Sequence, residues 1–439
     1  MKKILKGIKV LIGGLVIIAS IGIVDKVLTY ILVDDIKSET RYIMKKFYEQ
    51  KDIETLFVGS SHVYSGYVPA ILDEKMEENT YLLATPLQQT DGSYYLLKEA
   101  IKNNDNLKKV YMDIYVRQYQ AIPEIRSDFQ MGYVYCISDY MKNSFDKVEY
   151  LLNATGPERY LDSFFVPSRY GNYLFDLKRF ERIIKSKRSE EYKGAIPAEK
   201  AGHEFYKGAW LETGQIGDPN MVLTQSNAEY GPISEEVISD YSLRYLNKMV
   251  KLCKENEIEL VLITTPFSNF YVQAAGNYTR FYNYMREYAL NNDVEFYDFN
   301  LCKLELLDLQ DEDFMDTHHL SGIGAEKYSY AFSKIMKEYS REERQNLFYN
   351  SFEEKMKALP EQTFGILIED CEIKIIANYE ADVEYKIYSI DDSWNEKEVI
   401  QEFSSNHILD LGERENQVYC IIARDAENHE YLEEIYINL

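Results

Sequence analysis

The sequence predicts an α/β protein with a parallel sheet, an N-terminal transmembrane helix and a small C-terminal β-sandwich. Three observations predict this fold class. Between about residues 50 and 340, short apolar segments of strand length alternate with segments of helical periodicity. A long apolar run begins at Val10, directly behind a cluster of lysines. Beyond about residue 360, short segments alternate apolar with polar residues, which is typical of half-buried strands.

The composition narrows the class of protein. The chain has 439 residues, enough for two domains or one large domain with insertions, and its 46% hydrophobic content suffices for a packed core. The net charge of −24 opposes binding to nucleic acid and extensive electrostatic binding to anionic lipid. Five cysteines are scattered without a Cys-x-x-Cys pair, so no zinc site or disulfide framework is expected, although a Cys371–Cys420 pair stays open.

The first 35 residues predict an uncleaved signal anchor. A membrane span needs about 20 apolar residues, and the run from Val10 resumes after Asp25 and Lys26 and continues to Val33. Both charged residues lie near the outer end, where snorkelling is tolerated. The lysines before the run place the N-terminus in the cytoplasm and the body outside. A cleaved signal peptide is the alternative, but the sequence has no clear Ala-x-Ala site.

The body of the chain predicts alternating strands and helices. A charged connecting helix over 37–50 comes first. Continuous apolar strands joined by helices predict a flavodoxin-like three-layer sandwich, in which helices cover both faces of a parallel sheet. The expected elements are strand 55–59, helix 68–76, strand 80–84, helix 93–102, strand 108–116, helix 235–256, strand 258–265, helix 278–290, strand 294–299 and helix 324–338.

Two regions depart from this alternation. Residues from about 118 to 230 form an aromatic-rich insertion within a domain spanning 36–342. We interpret the insertion either as a lid or wall of a substrate cleft, or as a structural element without ligand contacts. Residues 363–439 contain about seven short strands separated by turns, which predict a small β-sandwich. Tyr385–Tyr388, Trp394 and Val418–Asp425 resemble the triple-tyrosine type of immunoglobulin-like module.

Two short segments carry residues of recognisable chemistry. Gly59-Ser60-Ser61-His62 follows the first strand of the α/β region, and Asp316-x-x-His319 follows its last predicted strand, 294–299. Both therefore lie at carboxyl ends of strands, where parallel sheets bind their ligands. A serine at a strand-to-helix turn is a candidate nucleophile, and an aspartate that orients a histidine is the usual partner of such a serine.

At these residues the chain resembles the SGNH (GDSL-like) hydrolase superfamily, over roughly residues 52–340. Gly59-Ser60-Ser61 matches the nucleophile block, and Asp316-x-x-His319-Leu320 with Gly324 matches the terminal block. The resemblance is to the membrane-anchored, extracytoplasmic branch that includes the teichoic-acid D-alanine transfer protein and alginate O-acetylation proteins. The resemblance implies Ser61 as nucleophile, His319 as base and Asp316 as the orienting carboxylate. Ser60 and His318 are the competing candidates for the first two roles.

The chain departs from the superfamily in two blocks. Leu87 stands where the second-block glycine would donate to an oxyanion, and no Gly-x-Asn-Asp follows the third strand, where Asp113 and Arg117 stand. The backbone N–H of Ser61, with the Gln88 side chain, is then expected to supply the oxyanion hole. His62 is expected to line the cleft. Arg117 either binds substrate or forms a buried ion pair with Asp113.

The resemblance, together with these residues, implies an extracytoplasmic enzyme that transfers or removes an acetyl or D-alanyl group on a cell-surface polysaccharide or acylated carrier. No metal and no cofactor are expected for this chemistry. The resemblance implies a membrane-bound O-acyltransferase as the partner that delivers the acyl group. The alternative is a non-catalytic cell-envelope binding or assembly protein, which the missing glycine and asparagine blocks favour.

Overall fold

The structure is a computed structural model that describes residues 2–120, 126–194, 206–210, 214–218, 223–226, 233, 236–369, 372–391, 394–410 and 417–438. Cys371, and with it the Cys371–Cys420 alternative, lies outside the described residues. Internal contacts divide the chain into two compact units. The helical unit comprises Met1–Glu49 and Pro123–Gly202, and the sheet unit comprises Gln50–Ile122 and His203–Leu439.

The strands all belong to the sheet unit. They are β1 (Thr55–Gly59), β2 (Thr80–Ala84), β3 (Lys109–Asp113), β4 (Thr224–Ser226), β5 (Glu259–Thr264), β6 (Glu295–Asp298), β7 (Thr363–Glu369), β8 (Glu372–Ala377), β9 (Val383–Ile390), β10 (Glu396–Ser404), β11 (Ile408–Asp410), β12 (Val418–Asp425) and β13 (Tyr431–Asn438). The α-helices of this unit are Ser61–Gly66, Pro69–Met76, Thr90–Asn103, Val116–Gln120, Asp240–Glu255, Asn269–Ala274, Tyr278–Asn292, Gly322–Glu338, Arg341–Gln345 and Phe352–Ala358.

A five-stranded parallel sheet in the order β2-β1-β3-β5-β6 forms the centre of the sheet unit. This strand order reverses between β1 and β3, as in doubly wound flavodoxin-like sheets, so ligands are expected outside the carboxyl ends of those two strands. Every residue of β1 and β2 is buried. Their continuous apolar sequences are what a sheet covered by helices requires. The predicted parallel α/β region is therefore confirmed.

Helices pack in pairs beside this sheet. Pro69–Met76 contacts Gly322–Glu338, and Thr90–Asn103 contacts Asp240–Glu255. The core cluster that contains Phe57 is strongly aromatic. Phe57 stacks on Tyr111 with ring centroids 4.9 Å apart. The hydroxyl groups of Tyr67 and Tyr328 form a buried hydrogen bond of 2.7 Å, which satisfies two polar atoms that would otherwise be costly to bury. The abundant tyrosine thus contributes to the core.

The C-terminal residues form two sheets, each with antiparallel strand pairs. One has the order β10-β9-β12-β13, and the other has the order β11-β8-β7-β4. Side chains from both sheets share one core cluster that includes Ile366, Ile387 and Tyr419. The seven strands expected from the alternating pattern are all present. Strand β4, which comes from the insertion and pairs in parallel with β7, was not predicted from the sequence.

The helical unit begins with the N-terminal helix, Lys2–Leu32. Its segment Leu11–Leu32, with a mean hydropathy of 2.2, is long and apolar enough to cross a membrane. The remaining helices are Glu39–Glu49, Asp128–Ser138, Phe145–Ala154, Tyr160–Phe164, Leu177–Lys187 and Glu190–Gly194, with 3₁₀ turns at Pro157–Arg159 and Val166–Tyr173. Glu39–Glu49 and residues 123–202 of the insertion thus belong to the same compact unit as the N-terminal helix.

Candidate active site

Ser61 lies where β1 ends and a short helix begins. Ser60 occupies the N-cap of the helix Ser61–Gly66, and its own side chain forms no capping hydrogen bond. The first residues of a helix carry backbone N–H groups that have no partner within the helix. Ser61 therefore stands beside such donors at the carboxyl edge of the sheet, next to the point where the strand order reverses.

Gly59 allows the turn before Ser61 to lie close to β3. A Cβ atom at this position would fall 2.5 Å from Val63 Cγ2 and 2.7 Å from Asp113 Cβ, distances that no side chain tolerates. Glycine is required here because the Val63 and Asp113 side chains leave no room for a Cβ atom.

Asp316 and His319 come together in a closed loop. An antiparallel bridge pairs Phe314 with Leu320, and the Met315 N–H donates to the His319 carbonyl at 2.8 Å. Asp316 Oδ1 accepts from the backbone N–H groups of His318 and His319 at 2.9 and 2.8 Å. The Ser268 hydroxyl donates to the Thr317 carbonyl and ties this loop to the segment after β5.

The structure brings Ser61, His319 and Asp316 into one hydrogen-bonded chain. His319 Nδ1 lies 2.8 Å from Asp316 Oδ2, and His319 Nε2 lies 2.8 Å from Ser61 Oγ. Burial by itself would raise the pKa of Asp316, but the hydrogen bond from His319, the adjacent imidazoles and the backbone N–H of His318 hold it well below its usual range. Asp316 is therefore ionised and fixes the His319 tautomer with Nε2 facing the serine.

Ser60 and His318 do not take these positions. The buried Ser60 hydroxyl lies 3.3 Å from His62 Nδ1. His318 Nδ1 lies 3.3 Å from Asp316 Oδ1. Burial and the neighbouring His319 lower the pKa of His318 to about 3, although Asp316 opposes this shift. His318 is thus a neutral imidazole beside the hydrogen-bonded chain.

His62 packs beneath the candidate base. Its ring stacks on the His319 ring with centroids 4.9 Å apart and planes 16° apart, and it also contacts Tyr115 and Phe267. Burial, followed by the positive potential of the other two histidines, lowers the pKa of His62 well below its usual value. His62 is almost fully buried, so it supports His319 and does not form a cleft wall as expected.

The three histidines are the residues here that could hold a metal ion. One nitrogen from each of His62, His318 and His319 lies within 4.8 Å of the other two. Imidazole nitrogens on a tetrahedral zinc are about 3.3 Å apart, since each lies about 2 Å from the metal. The stacked rings of His62 and His319 would have to rotate before their lone pairs converged. Both nitrogens of His319 are already engaged by Asp316 and Ser61, so the arrangement fits a hydrogen-bonded Ser-His-Asp chain better than a metal centre.

Leu87 occupies a turn whose backbone suits glycine. The Gln88 N–H donates to the Thr85 carbonyl at 3.2 Å, which closes the turn Thr85-Pro86-Leu87-Gln88. Leu87 has a φ of +45°, in the left-handed region that glycine adopts without strain. The chain therefore keeps a glycine-type conformation at the position where the resemblance implies a glycine.

The Gln88 side chain does not face Ser61 as an oxyanion donor. It is fully buried, its Nε2 donates to Ser93 Oγ at 3.1 Å, and its Oε1 accepts from Thr85 at 3.1 Å. The expectation for Gln88 is therefore not supported: its amide stabilises the turn and the following helix. The backbone N–H of Ser61 stays a candidate donor.

Asp113 and Arg117 do not form the expected ion pair. Asp113 Oδ1 accepts from the Thr265 N–H at 3.0 Å and from the Thr265 hydroxyl at 2.8 Å. Burial raises the pKa of Asp113 to about 6, against the effect of these hydrogen bonds. Burial raises the pKa of Tyr271, and the nearby Arg117 opposes this shift. Tyr271 in turn shares a hydrogen bond of 2.8 Å with Tyr115.

Several residues around the site were not identified from the sequence. Thr265 holds Asp113, while Tyr115, Phe267 and Tyr271 surround His62 and His318. The available signal was their position directly after β3 and β5, whose carboxyl ends share an edge with β1. From the insertion, the Trp210 N–H donates to the Tyr64 carbonyl at 2.6 Å and thus lies over the Ser61 helix.

Comparisons with known proteins place the chain in no family. A family model that carries no description of function matches residues 221–340, and no curated protein matches the sequence. A crystal structure of a Bacteroides fragilis protein, provisionally described as an acylhydrolase, aligns with a TM-score of 0.30 and 9% identity. The alignment covers 67% of this chain and 93% of that one. The class of the protein is accordingly defined by its own fold and site: a parallel α/β domain that carries a hydrogen-bonded Ser-His-Asp chain.

Proposed function

We propose that the protein is an extracytoplasmic serine enzyme that transfers or removes an acetyl or D-alanyl group on a cell-surface polysaccharide. The observation that carries this proposal is the pair of 2.8 Å hydrogen bonds that link Ser61, His319 and Asp316. A serine hydroxyl becomes a useful nucleophile only when a base removes its proton during attack. His319 is positioned as that base.

The reaction divides into two acyl transfers. In the first, Ser61 Oγ attacks the ester carbonyl while His319 Nε2 accepts the hydroxyl proton, and the tetrahedral intermediate collapses as the imidazolium protonates the leaving alcohol. In the second, His319 deprotonates the acceptor, which attacks the acyl-serine and releases Ser61. Asp316 stays ionised throughout and stabilises the imidazolium. Water as the acceptor gives an esterase, and a glycan hydroxyl gives a transferase.

The surroundings of the serine support this mechanism. The buried His62 and His318 are neutral, and Asp316 is ionised. Transfer of the Ser61 proton to His319 therefore creates an imidazolium directly beside an anion. The developing oxyanion would receive the backbone N–H of Ser61 at the start of its helix. This chemistry requires neither a metal ion nor a cofactor.

The N-terminal helix supports the proposed location. Leu11–Leu32 has the length and hydropathy of a membrane span, and the lysines before it favour a cytoplasmic N-terminus. The body of the chain would then lie outside the cytoplasm, where acyl donors have to be delivered across the membrane. A membrane-bound O-acyltransferase is the partner that such delivery implies.

The proposal is tested by labelling the full-length protein in detergent with a fluorophosphonate and by measuring p-nitrophenyl acetate hydrolysis. We expect Ser61→Ala to abolish labelling and His319→Ala to slow it by about a thousandfold or more. Ser60→Ala is the matched control, because the neighbouring hydroxyl contacts His62 and not His319. It should label like the wild type.

The same experiment separates the enzyme from the alternative, a non-catalytic cell-envelope binding or assembly protein. One observation favours that alternative: Leu87 and the buried Gln88 replace the expected oxyanion donors. A binding protein would show no labelling above the Ser61→Ala background and no turnover in any variant. Loss of labelling in Ser60→Ala alone would contradict the assignment of the nucleophile.

A further inference from the structure

Residues 171–178 of the helical unit present an exposed apolar segment. All eight residues are exposed, and four of them are large and apolar: Tyr173, Leu174, Phe175 and Leu177. Phe175 is 93% and Leu177 is 75% exposed. Fully burying a side chain of this size is worth about 1.5–3 kcal/mol. Asp176, whose side chain accepts from the Arg179 N–H at the start of the next helix, separates Phe175 from Leu177. Exposed apolar residues clustered in this way are typical of a binding surface.

The structure fixes where this segment lies along the N-terminal helix. Before it, the Val166 N–H donates to Asp25 Oδ1 at 3.1 Å. After it, Arg179 Nη2 donates to the Leu32 carbonyl at 2.9 Å. The chain between these contacts therefore runs beside the last two turns of the apolar helix. The axial distance from Asp25 to Leu32 is about 10 Å, at 1.5 Å per residue.

This position corresponds to the outer third of the apolar span. Leu11–Leu32 is 22 residues long, about 33 Å, which matches a hydrocarbon core of about 30 Å. Asp25 then lies about 10 Å inside the outer end, where an ionised carboxylate needs a partner. The Val166 amide supplies one. The sequence predicted that Asp25 would snorkel, whereas the structure shows it hydrogen-bonded to the helical unit.

Residues that follow the segment suit a boundary between apolar and charged surroundings. The Arg179 guanidinium lies 4.6 Å from the Tyr173 ring centroid, and Arg182 binds Asp34 at 2.5 Å. The helix Leu177–Lys187 also contains Lys178 and Lys185, which are exposed. Aromatic and basic side chains are characteristic of the membrane–water interface.

We propose that residues 171–178 insert into the outer leaflet of the lipid bilayer that holds the N-terminal helix. This inference rests on the membrane anchor proposed above, but not on the serine chemistry. The bilayer is the occupant that the structure favours because the segment flanks a helix whose own surface is apolar and exposed, including Ile21, Ile23 and Val27. Lipid that surrounds the N-terminal helix must also reach residues 171–178.

The inference is tested with full-length protein in vesicles. Phe175→Trp places a fluorophore on the segment, and lipids brominated near the headgroup quench only tryptophans that lie at that depth. We expect the added fluorescence to fall at least about twofold, as for an interfacial aromatic residue. Leu290→Trp is the control, because Leu290 is 80% exposed but belongs to the sheet unit. It should not be quenched.

Each result has one meaning. Quenching of Phe175→Trp but not of Leu290→Trp supports the proposal. A Phe175→Trp signal that is blue-shifted but unquenched would show a protein contact, such as a second copy of the chain, and would overturn it. Release of the wild type from vesicles by carbonate would overturn both the anchor and this inference. Fluorophosphonate labelling of Ser61 in the same vesicles reports separately on folding and on the proposed enzyme.

Discussion

The helical unit and the sheet unit both bury apolar residues, but the helical unit also combines a buried ion pair with a strongly exposed aromatic side chain. In the sheet unit the centre is apolar, with Phe57 and Ile263 fully buried, and Lys108 projects into solvent. In the helical unit an ion pair is buried: the side chains of Lys187 and Asp35 are 4% and 10% exposed. Among the large apolar residues described in this unit, Phe175 is the most exposed, at 93%. This difference is what the proposed membrane position of the N-terminal helix predicts.

The difference shows that hydrophobic burial depends on the solvent that a surface meets. The sheet unit follows the usual rule for proteins in water, in which apolar side chains fill the core. The helical unit includes a helix with the hydropathy of a membrane span, and lipid does not penalise an exposed apolar residue. Buried ion pairs and exposed aromatics are consistent at such a boundary. The following variants test this comparison.

The largest effect is expected in the sheet unit, from Asp316→Asn. The amide retains an oxygen for the two backbone N–H groups but presents an NH₂ group to His319 Nδ1, which selects the wrong tautomer. We expect kcat to fall by about 10⁴ and the melting temperature to fall as well, because a carboxylate whose pKa is depressed in the folded protein stabilises the fold at neutral pH. Hydrolysis of p-nitrophenyl acetate measures the first quantity. A loss of less than about tenfold would show that Asp316 does not orient the base.

The second effect is expected in the helical unit, from Lys187→Met. Removing the lysine leaves Asp35 buried with only tyrosine hydroxyls as partners, and breaking a buried pair costs about 3–5 kcal/mol. Hydrogen exchange should show faster opening of Leu177–Lys187 and no change in Gly322–Glu338. Lys193→Met is the control, because its pair with Glu190 is exposed and worth at most about 1 kcal/mol.

The third effect is a dependence on pH through His318. Its folded pKa is about 3, whereas the unfolded chain takes up this proton below about 6.5. Stability therefore falls as the pH is lowered through this window, by about 2 kcal/mol for this residue at pH 5. Burial raises the pKa values of Asp113 and Asp298 to about 6, so these two groups increase stability as the pH is lowered. Both are present in the wild type and in a His318 variant, so their contribution cancels when the two are compared.

Chemical denaturation of the wild type and His318→Gln at pH 7 and pH 5 measures the His318 contribution. The variant should lose about 2 kcal/mol less than the wild type between the two values. Equal losses of stability in the wild type and the variant would mean that burial in the sheet unit does not hold His318 neutral.

The smallest effect is expected from Leu87→Gly. Leucine in the left-handed region carries strain of about 1 kcal/mol, and the half-exposed side chain loses little burial when it is removed. We expect the free energy of unfolding to rise by about 0.5–1 kcal/mol. Leu87→Ala keeps a Cβ atom and should not stabilise. A destabilised glycine variant would show that the turn is not strained.

The sequence predicted the sheet well because each strand has a continuous apolar sequence. Thr55–Gly59 and Thr80–Ala84 have the boundaries that their composition predicts. The third strand was expected to extend to Val116 but ends at Asp113, because Val116 begins a short helix. Apolar composition continues there, so periodicity alone does not mark the change. The short helix Ser61–Gly66 was missed for a related reason, since six residues are too few for a periodic pattern.

The candidate site was predicted only where residue types are distinctive. Ser61, Asp316 and His319 were identified from their spacing, and the structure brings them together. The hydrogen bonds of Gln88 and Asp113 could not be predicted, because their partners Ser93 and Thr265 are ordinary residues that only the fold places nearby. The stack of His62 on His319 likewise depends on tertiary packing.

The short strand β4 makes the C-terminal sheets depend on the middle of the chain. The Ile366 N–H donates to the Leu223 carbonyl at 2.8 Å, and a Cβ atom on Gly365 would lie 2.4 Å from that same oxygen. β7 is made roughly 140 residues after its partner, so this pairing has a large sequence separation and forms late. A chain interrupted before β7 would leave β4 unpaired. Only a polypeptide synthesised through β11 (Ile408–Asp410) can complete this sheet.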